Sequence, residues 1–290
     1  EFPHECHNCG YNDGALRFNC KSIQFMSISE TQQKQLLSFA NDLADVARVL
    51  LQQAVSIKPK VEVKNDLTFV TQTDKEVELE LRNMIERKFP EHGILGEELG
   101  HKNLNAEFVW ILDPIDGTAP FIASIPVYGS LIALAWRGKP FLGIIEHPAT
   151  NDRWAGITNK IALHNGSPTK VRPCHNLKQA FATCSNPDFM TETQYLLFER
   201  IKTQTRYVQY GGACFAYGSL ASGNTDLAID AGLKPYDLFA PAAIISGAGG
   251  IISDWNGRPL KLDMTGEVIA CGDPAVHASA LKILRGSDSG

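Results

Sequence analysis

No apolar run of about 18 residues occurs anywhere in the chain, so no membrane-spanning helix is expected. Positive charge is not in excess either: 27 Lys and Arg against 32 Asp and Glu leave a net charge of −5. That balance argues against a nucleic-acid surface and offers a membrane no basic patch. The start of the chain has no charged segment leading into an apolar stretch, so no secretory signal is expected. Cysteine is scarce. The seven residues Cys6, Cys9, Cys20, Cys174, Cys184, Cys214 and Cys271 are odd in number and irregular in spacing. Free thiols in a reducing compartment follow, and the cytoplasm is the expected location. A Gly-rich phosphate loop of the Walker type is missing, which counts against a nucleotide-dependent phosphotransferase.

What is present is apolar residue in quantity. At 290 residues and 44% hydrophobic content, the chain can build one large unit or two closely packed halves. Residues 1–28 differ in character. His4, Cys6, His7 and Cys9 crowd together with only Cys20 following, too few well-spaced ligands for a zinc site. They are read as an N-terminal extension appended to the fold and set aside.

Helical patterns come next. Ser29 and Gln32 have capping-box spacing, and Leu36, Ala40, Leu43, Ala47 and Leu50 recur on one face. A second helix is expected from Thr73, with Thr73 and Glu76 as its box, Asp74 in its first turn and Val77, Leu81, Met84 and Ile85 as its buried stripe. Strand-like runs follow at 108–112, 130–136 and 141–146, the last two separated by Arg137-Gly138-Lys139-Pro140. The second half alternates, with strands at 180–184, 206–209, 226–230, 250–254 and 268–270 and helices at 191–201, 215–221, 238–246 and 274–284. The expected fold is an α+β layered sandwich. A helix pair and an antiparallel sheet would occupy 29–172. A mixed sheet with flanking helices would occupy 173–290, the boundary falling near Arg172-Pro173.

Carboxylates stand in unusual places. Gly96-Glu97-Glu98 follows the apolar Ile94-Leu95, Asp113-Pro114-Ile115-Asp116-Gly117-Thr118 follows a core strand, and Asp237 opens an apolar helix. Two acids directly after a buried strand repel each other unless a positive charge lies between them. Pro114 stiffens the turn and Gly117 permits a backbone angle other residues resist. An all-oxygen set aimed to one side suits Mg²⁺. The amides of Gly117 and Thr118 are then placed for phosphate oxygens. Each segment alone is also what an ordinary turn or cap would look like. Three together concentrate more negative charge than a fold leaves unpaired.

These three segments, the third running from Tyr236-Asp237 through Ala248-Gly249-Gly250, resemble the signatures of the inositol monophosphatase superfamily, over roughly residues 30 to 286. The resemblance implies an α/β/α/β/α sandwich, a homodimer, two or three Mg²⁺ per active site and sensitivity to Li⁺. It implies that Glu97, Asp113 and the Ile115 carbonyl hold one metal and that Asp113, Asp116 and Asp237 hold a second. Thr118, hydrogen-bonded to Asp74, would orient the attacking water, with Glu98 in support. The segments Gly232-Leu233-Lys234-Pro235-Tyr236-Asp237, Tyr210-Gly211-Gly212 and Pro126 through Ile132 resemble the histidinol-phosphate phosphatases of that superfamily. Hydrolysis of histidinol phosphate in histidine biosynthesis is therefore the first expectation, an inositol or other polyol monophosphatase the second, and a catalytically silent binding module of the same fold a third. Gly212, Ala213 and Asp230 join Gly117 and Thr118 as expected substrate contacts. Ala213 stands where those enzymes often carry Asp, and Ala119-Pro120 is an unusual continuation of the DPIDGT stretch. Asp230 is then left as the carboxylate for a substrate ammonium.

Overall fold

Helix α1 (Glu30–Ala54) starts where the capping pattern puts it, with the Gln32 N–H donating to Ser29 Oγ at 3.2 Å. The computed structural model describes residues 28–55, 60–64, 69–264 and 266–286, and the His4–Cys9 cluster lies outside them. The α1 stripe is buried along Leu36, Ala40, Leu43 and Ala47, with Leu50 partly buried at its margin. A short hairpin of β1 (Val61–Val63) and β2 (Phe69–Thr71) leads to α2 (Gln72–Lys88). The α2 cap differs from expectation: it is Thr71 with Asp74, not Thr73 with Glu76. Asp74 Oδ2 accepts both the Thr71 N–H at 2.7 Å and the Thr71 hydroxyl at 2.5 Å, in a buried setting. Glu76 instead accepts from Gln72 on the exposed side.

Eight strands form the first sheet: β3 (Gly93–Gly96), β4 (His101–Lys102), β5 (Phe108–Asp116), β6 (Gly129–Trp136), β7 (Lys139–His147), β8 (Asp152–Ile157), β9 (Ile161–His164) and β10 (Ser167–Pro168). Their order is β10-β9-β8-β7-β6-β5-β3-β4, antiparallel except for the β3–β5 pair. A five-residue helix, α3 (Thr118–Ile122), interrupts the path from β5 to β6. The β6–β7 turn needs only Arg137 and Gly138, at φ 50° and 74°. Two left-handed residues in succession match the right-handed twist of a hairpin.

The second sheet contains β11 (Phe181–Cys184), β12 (Tyr207–Tyr210), β13 (Leu227–Asp230), β14 (Ile251–Ser253) and β15 (Val268–Cys271) in the mixed order β12-β11-β13-β15-β14. Helices α4 (Glu192–Gln204), α5 (Ala213–Ala221), α6 (Pro235–Gly247) and α7 (Pro274–Leu284) alternate with these strands.

Strand alternation stacks the layers. Trp110 and Leu112 of β5 point into a core shared with α1 and α2, while Val109 and Ile111 point into a second core shared with α5 and α6. A third core lies between the second sheet and α4 with α7. Helix α6 is sandwiched between the sheets, which explains why Leu238 through Ile245 are all buried. It lies directly on β7 and β8: a Cβ on Gly143 would stand 2.4 Å from the Ala240 carbonyl oxygen, and one on Gly156 would stand 2.7 Å from Ile244 Cα. This close approach sets the N-terminal turn of α6 beside the end of β5.

Candidate active site

In a regular strand, Asp113 and Asp116 would face opposite sides. The β5–β6 register shifts between these two residues. The irregularity sends Ile115 into the α1–α2 core and re-aims Asp116 toward Asp113. One oxygen each from Asp113, Asp116 and Asp237 lie within 4.8 Å of one another. Asp237 also caps α6, accepting the Lys234 N–H at 2.6 Å. Cap and site roles coexist in one carboxylate. Asp116 Oδ2 accepts the Cys214 N–H at 2.5 Å, so the start of α5 is tied to the same place.

The electrostatics are unfavourable as they stand. Among the described residues, Asp113 Oδ1 is buried with no hydrogen-bond partner, and the charged groups around it are Glu97, Asp116 and Asp237. Burial, then those three charges, hold the Asp113 carboxyl well above its usual range. Burial and Asp116 do the same to Asp237. Burial pushes Asp116 up to about 6 despite its bonds from Cys214. A divalent cation would reverse all three effects at once. The donors are oxygens only, which suits a hard cation and disfavours zinc.

Glu97 and Glu98 follow β3 and meet Lys64, whose Nζ lies 2.9 Å from Glu97 Oε1 and 2.6 Å from Glu98 Oε1. Burial raises Glu98 to about 7 against the opposing bond from Lys64. The Thr118 hydroxyl reaches the Ile115 carbonyl at 3.0 Å and Asp74 Oδ1 at 3.4 Å. The expected dyad and the expected carbonyl ligand therefore share one corner. Gly117 adopts φ 81°, and a Cβ on it would come 3.3 Å from Ala213 Cβ. That contact brings the DPIDGT turn against Gly212 and Ala213, which are the cap and first residue of α5.

Asp230 is a correction. It was expected as an open carboxylate for a substrate amine, but it is buried and already occupied. It accepts from the Ser185 N–H at 2.6 Å, the Ser185 hydroxyl at 3.3 Å and the Tyr217 hydroxyl at 2.7 Å. Sequence reasoning missed three residues that touch these acids: Lys64, Cys214 and Glu78, whose Oε2 accepts the Glu98 N–H at 2.7 Å. Lys64 sits beside a short hairpin with no periodic signal. Glu78 did leave one, an acid four residues after Asp74 inside an apolar stripe.

A model of the inositol monophosphatase family matches residues 32–289. The chain belongs to the inositol monophosphatase family. It is 36% identical over 266 residues to the bifunctional phosphatase IMPL2, chloroplastic, of Arabidopsis thaliana, covering 89% of this chain and 77% of that one. It is 35% identical over 214 residues to a histidinol-phosphatase of Chlorobaculum parvum, covering 71% and 80%. A solved inositol monophosphatase from Zymomonas mobilis superposes with a TM-score of 0.78 at 35% identity, over 87% of this chain and 98% of that one. The layered fold is that of the family, and the chain is a phosphoric monoester hydrolase. Among the described residues, no helix is long and apolar enough to cross a membrane.

Proposed function

We propose that this family member is a Mg²⁺-dependent phosphatase acting on a small phosphate monoester, with histidinol phosphate as its preferred substrate. The observation that carries the metal reading is the unpartnered, buried Asp113 Oδ1 among other acids. Glu97, Asp113, Asp116, Asp237 and the Ile115 carbonyl would hold the ion. When bound, Mg²⁺ supplies charge neutralisation at phosphate and a lowered pKa for water. The remaining work falls to side chains and amides. The single proton of the Thr118 hydroxyl has two acceptors, Ile115 O and Asp74 Oδ1, leaving oxygen lone pairs to orient the proton of an attacking water. The Gly117 and Thr118 amides at the start of α3 are the proposed phosphate contacts, with Glu98 supporting Glu97 from the next position.

The substrate assignment is supported by the histidinol-phosphatase of Chlorobaculum parvum, at 35% identity, and by the segments 126–132, 210–212 and 232–237; the Zymomonas mobilis inositol monophosphatase, also at 35%, supports the second reading. A polyol monophosphate is the second reading, favoured by Ala213 and by the enclosure of Asp230, since neither offers an ammonium group an open carboxylate. The homodimer, Li⁺ sensitivity and a place in histidine biosynthesis belong to the same proposal. So does a reducing compartment: Cys174, Cys184, Cys214 and Cys271 are unpaired. The cytoplasm is the first choice, and the name of the Arabidopsis relative suggests a plastid as the other.

Phosphate release from histidinol phosphate, inositol 1-phosphate and an aryl phosphate, with and without Mg²⁺, tests the proposal. Histidinol phosphate should lead in kcat/KM by about 10-fold, roughly 1.4 kcal/mol. A lead for inositol phosphate would reverse the substrate assignment alone. Full turnover in metal-stripped buffer would remove the metal reading.

A further inference from the structure

Helix α2 packs into the core, yet it buries two carboxylates. Asp74, Glu78 and Arg82 follow one another at four-residue intervals and form a polar stripe beside Val77, Leu81 and Ile85. Asp74 serves Thr118, as described above. Glu78 is 0% exposed, and both of its oxygens are used. Oε2 accepts the Glu98 N–H at 2.7 Å, while Oε1 accepts the Leu99 N–H at 3.1 Å and Arg82 Nε at 2.7 Å. Arg82 also donates to the Gly100 carbonyl. Gly96 completes the fit: a Cβ there would fall 1.9 Å from Glu78 Oε1, so the carboxylate fills the space a side chain would need. The pair Glu78 and Arg82 thus grips the backbone from residue 96 to residue 100, the turn that carries Glu97.

We propose that Glu78 is a positioning residue for the cation site, acting through the Glu98 and Leu99 amides to fix Glu97, with Arg82 holding the Glu78 carboxylate in place. It touches neither substrate nor cation. The inference rests on the reading of Glu97 as a metal ligand. Without the clasp, two amides lose their acceptor and the turn gains freedom, while Lys64 stays within reach to draw Glu97 aside. Asp113, Asp116 and Asp237 stand on β5 and α6 and keep their own supports. The loss should therefore fall on metal affinity, with kcat at saturating metal largely retained. Supporting residues of this kind commonly change metal affinity by about 10- to 100-fold.

Calorimetric titration of Mg²⁺ into the metal-free protein decides the matter. Glu78→Gln should weaken Mg²⁺ binding by about 10-fold or more. The double variant Glu78→Gln/Arg82→Met, which leaves no unpaired guanidinium, should do the same if the single variant folds poorly. Leu81→Ala, on the adjacent apolar stripe, controls for general destabilisation. It should lower the melting temperature and leave Mg²⁺ affinity at the wild-type value. Wild-type affinity in the folded Glu78 variants would overturn the proposal, as would an equal loss in Leu81→Ala. A wild-type protein that takes up no Mg²⁺ would overturn the metal reading, and this inference with it.

Discussion

Glu146 and Asp113 are both buried carboxylates on the eight-stranded sheet, and their surroundings are opposite. Glu146, on β7, is enclosed by cations from its own chain. Arg48 Nε lies 2.5 Å from one oxygen and Arg153 Nε lies 2.5 Å from the other. Arg153 is itself steadied by Asp45 at 2.7 Å and Asn41 Oδ1 at 3.1 Å. Asp113, on β5, has one oxygen without a donor among the described residues and three further acids around it. Both arrangements bury charge, which is costly unless it is paired. Where the charge is structural, the chain supplies the counter-ion. Where it is not, as at Asp113, the proposed counter-charge is a bound cation.

The largest effect should separate these two carboxylates by function. Asp113→Asn removes the charge and keeps the shape, so turnover at saturating Mg²⁺ should fall by about 10³-fold or more, near 4 kcal/mol of barrier. Phosphate-release kinetics measure it, and wild-type turnover would erase the contrast. The same exchange at Glu146 should do the reverse. Glu146→Gln leaves Arg48 without its acid and Arg153 with Asp45 alone, and breaking such a buried network costs about 3 kcal/mol of folding stability. Urea denaturation should show that loss, with Mg²⁺ affinity unaltered. A smaller change is expected at Thr118. Thr118→Ala should lower kcat by about 10²-fold and leave the melting temperature near its starting value, since only a water-orienting hydroxyl is removed. A variant that melts early and turns over normally would place Thr118 among the structural residues.

The smallest expected effect concerns a half-buried base outside the site. His92 is stacked between Phe89 and Phe108 and accepts the Trp110 indole N–H at 3.1 Å. Burial lowers its pKa from 6.5 to about 4. The unfolded chain takes up this proton near 6.5, but the folded chain resists it until about 4. The stabilisation is therefore full above 6.5 and is lost as pH falls toward 4. His92→Gln keeps an acceptor and cannot titrate, so its stability should fall less steeply across that window. Equal slopes in denaturation series at several pH values would remove His92 from the acid response.

Much of this was legible in the sequence, for identifiable reasons. Helix α7 matched the expected 274–284 span because Asp273 and Pro274 mark its start locally, as cap and first residue. The acids of β5 and α6 were legible because they interrupt apolar runs. What failed was decided elsewhere in the chain. Thr71 and Thr73 both precede Asp74 closely, and only burial of the Asp74 carboxylate selects Thr71 as the cap. Asp230 has the spacing of an open contact, but Tyr217 and Ser185 come from other elements to enclose it. The parallel β3–β5 pairing, which brings Glu97 beside Asp113, is likewise a long-range choice with no local mark.

Thermal melting of the wild type and Asp113→Asn, each metal-free and in a Mg²⁺ series, tests the central claim that the acid cluster is built for a cation. Ligand that binds only the folded state raises stability with its concentration. The wild-type melting temperature should climb with Mg²⁺. Metal-free Asp113→Asn should melt above the metal-free wild type, because it is relieved of mutual repulsion, and should gain little from added Mg²⁺. A wild type indifferent to Mg²⁺, or a variant that gains as much from the ion as the wild type does, would contradict the account.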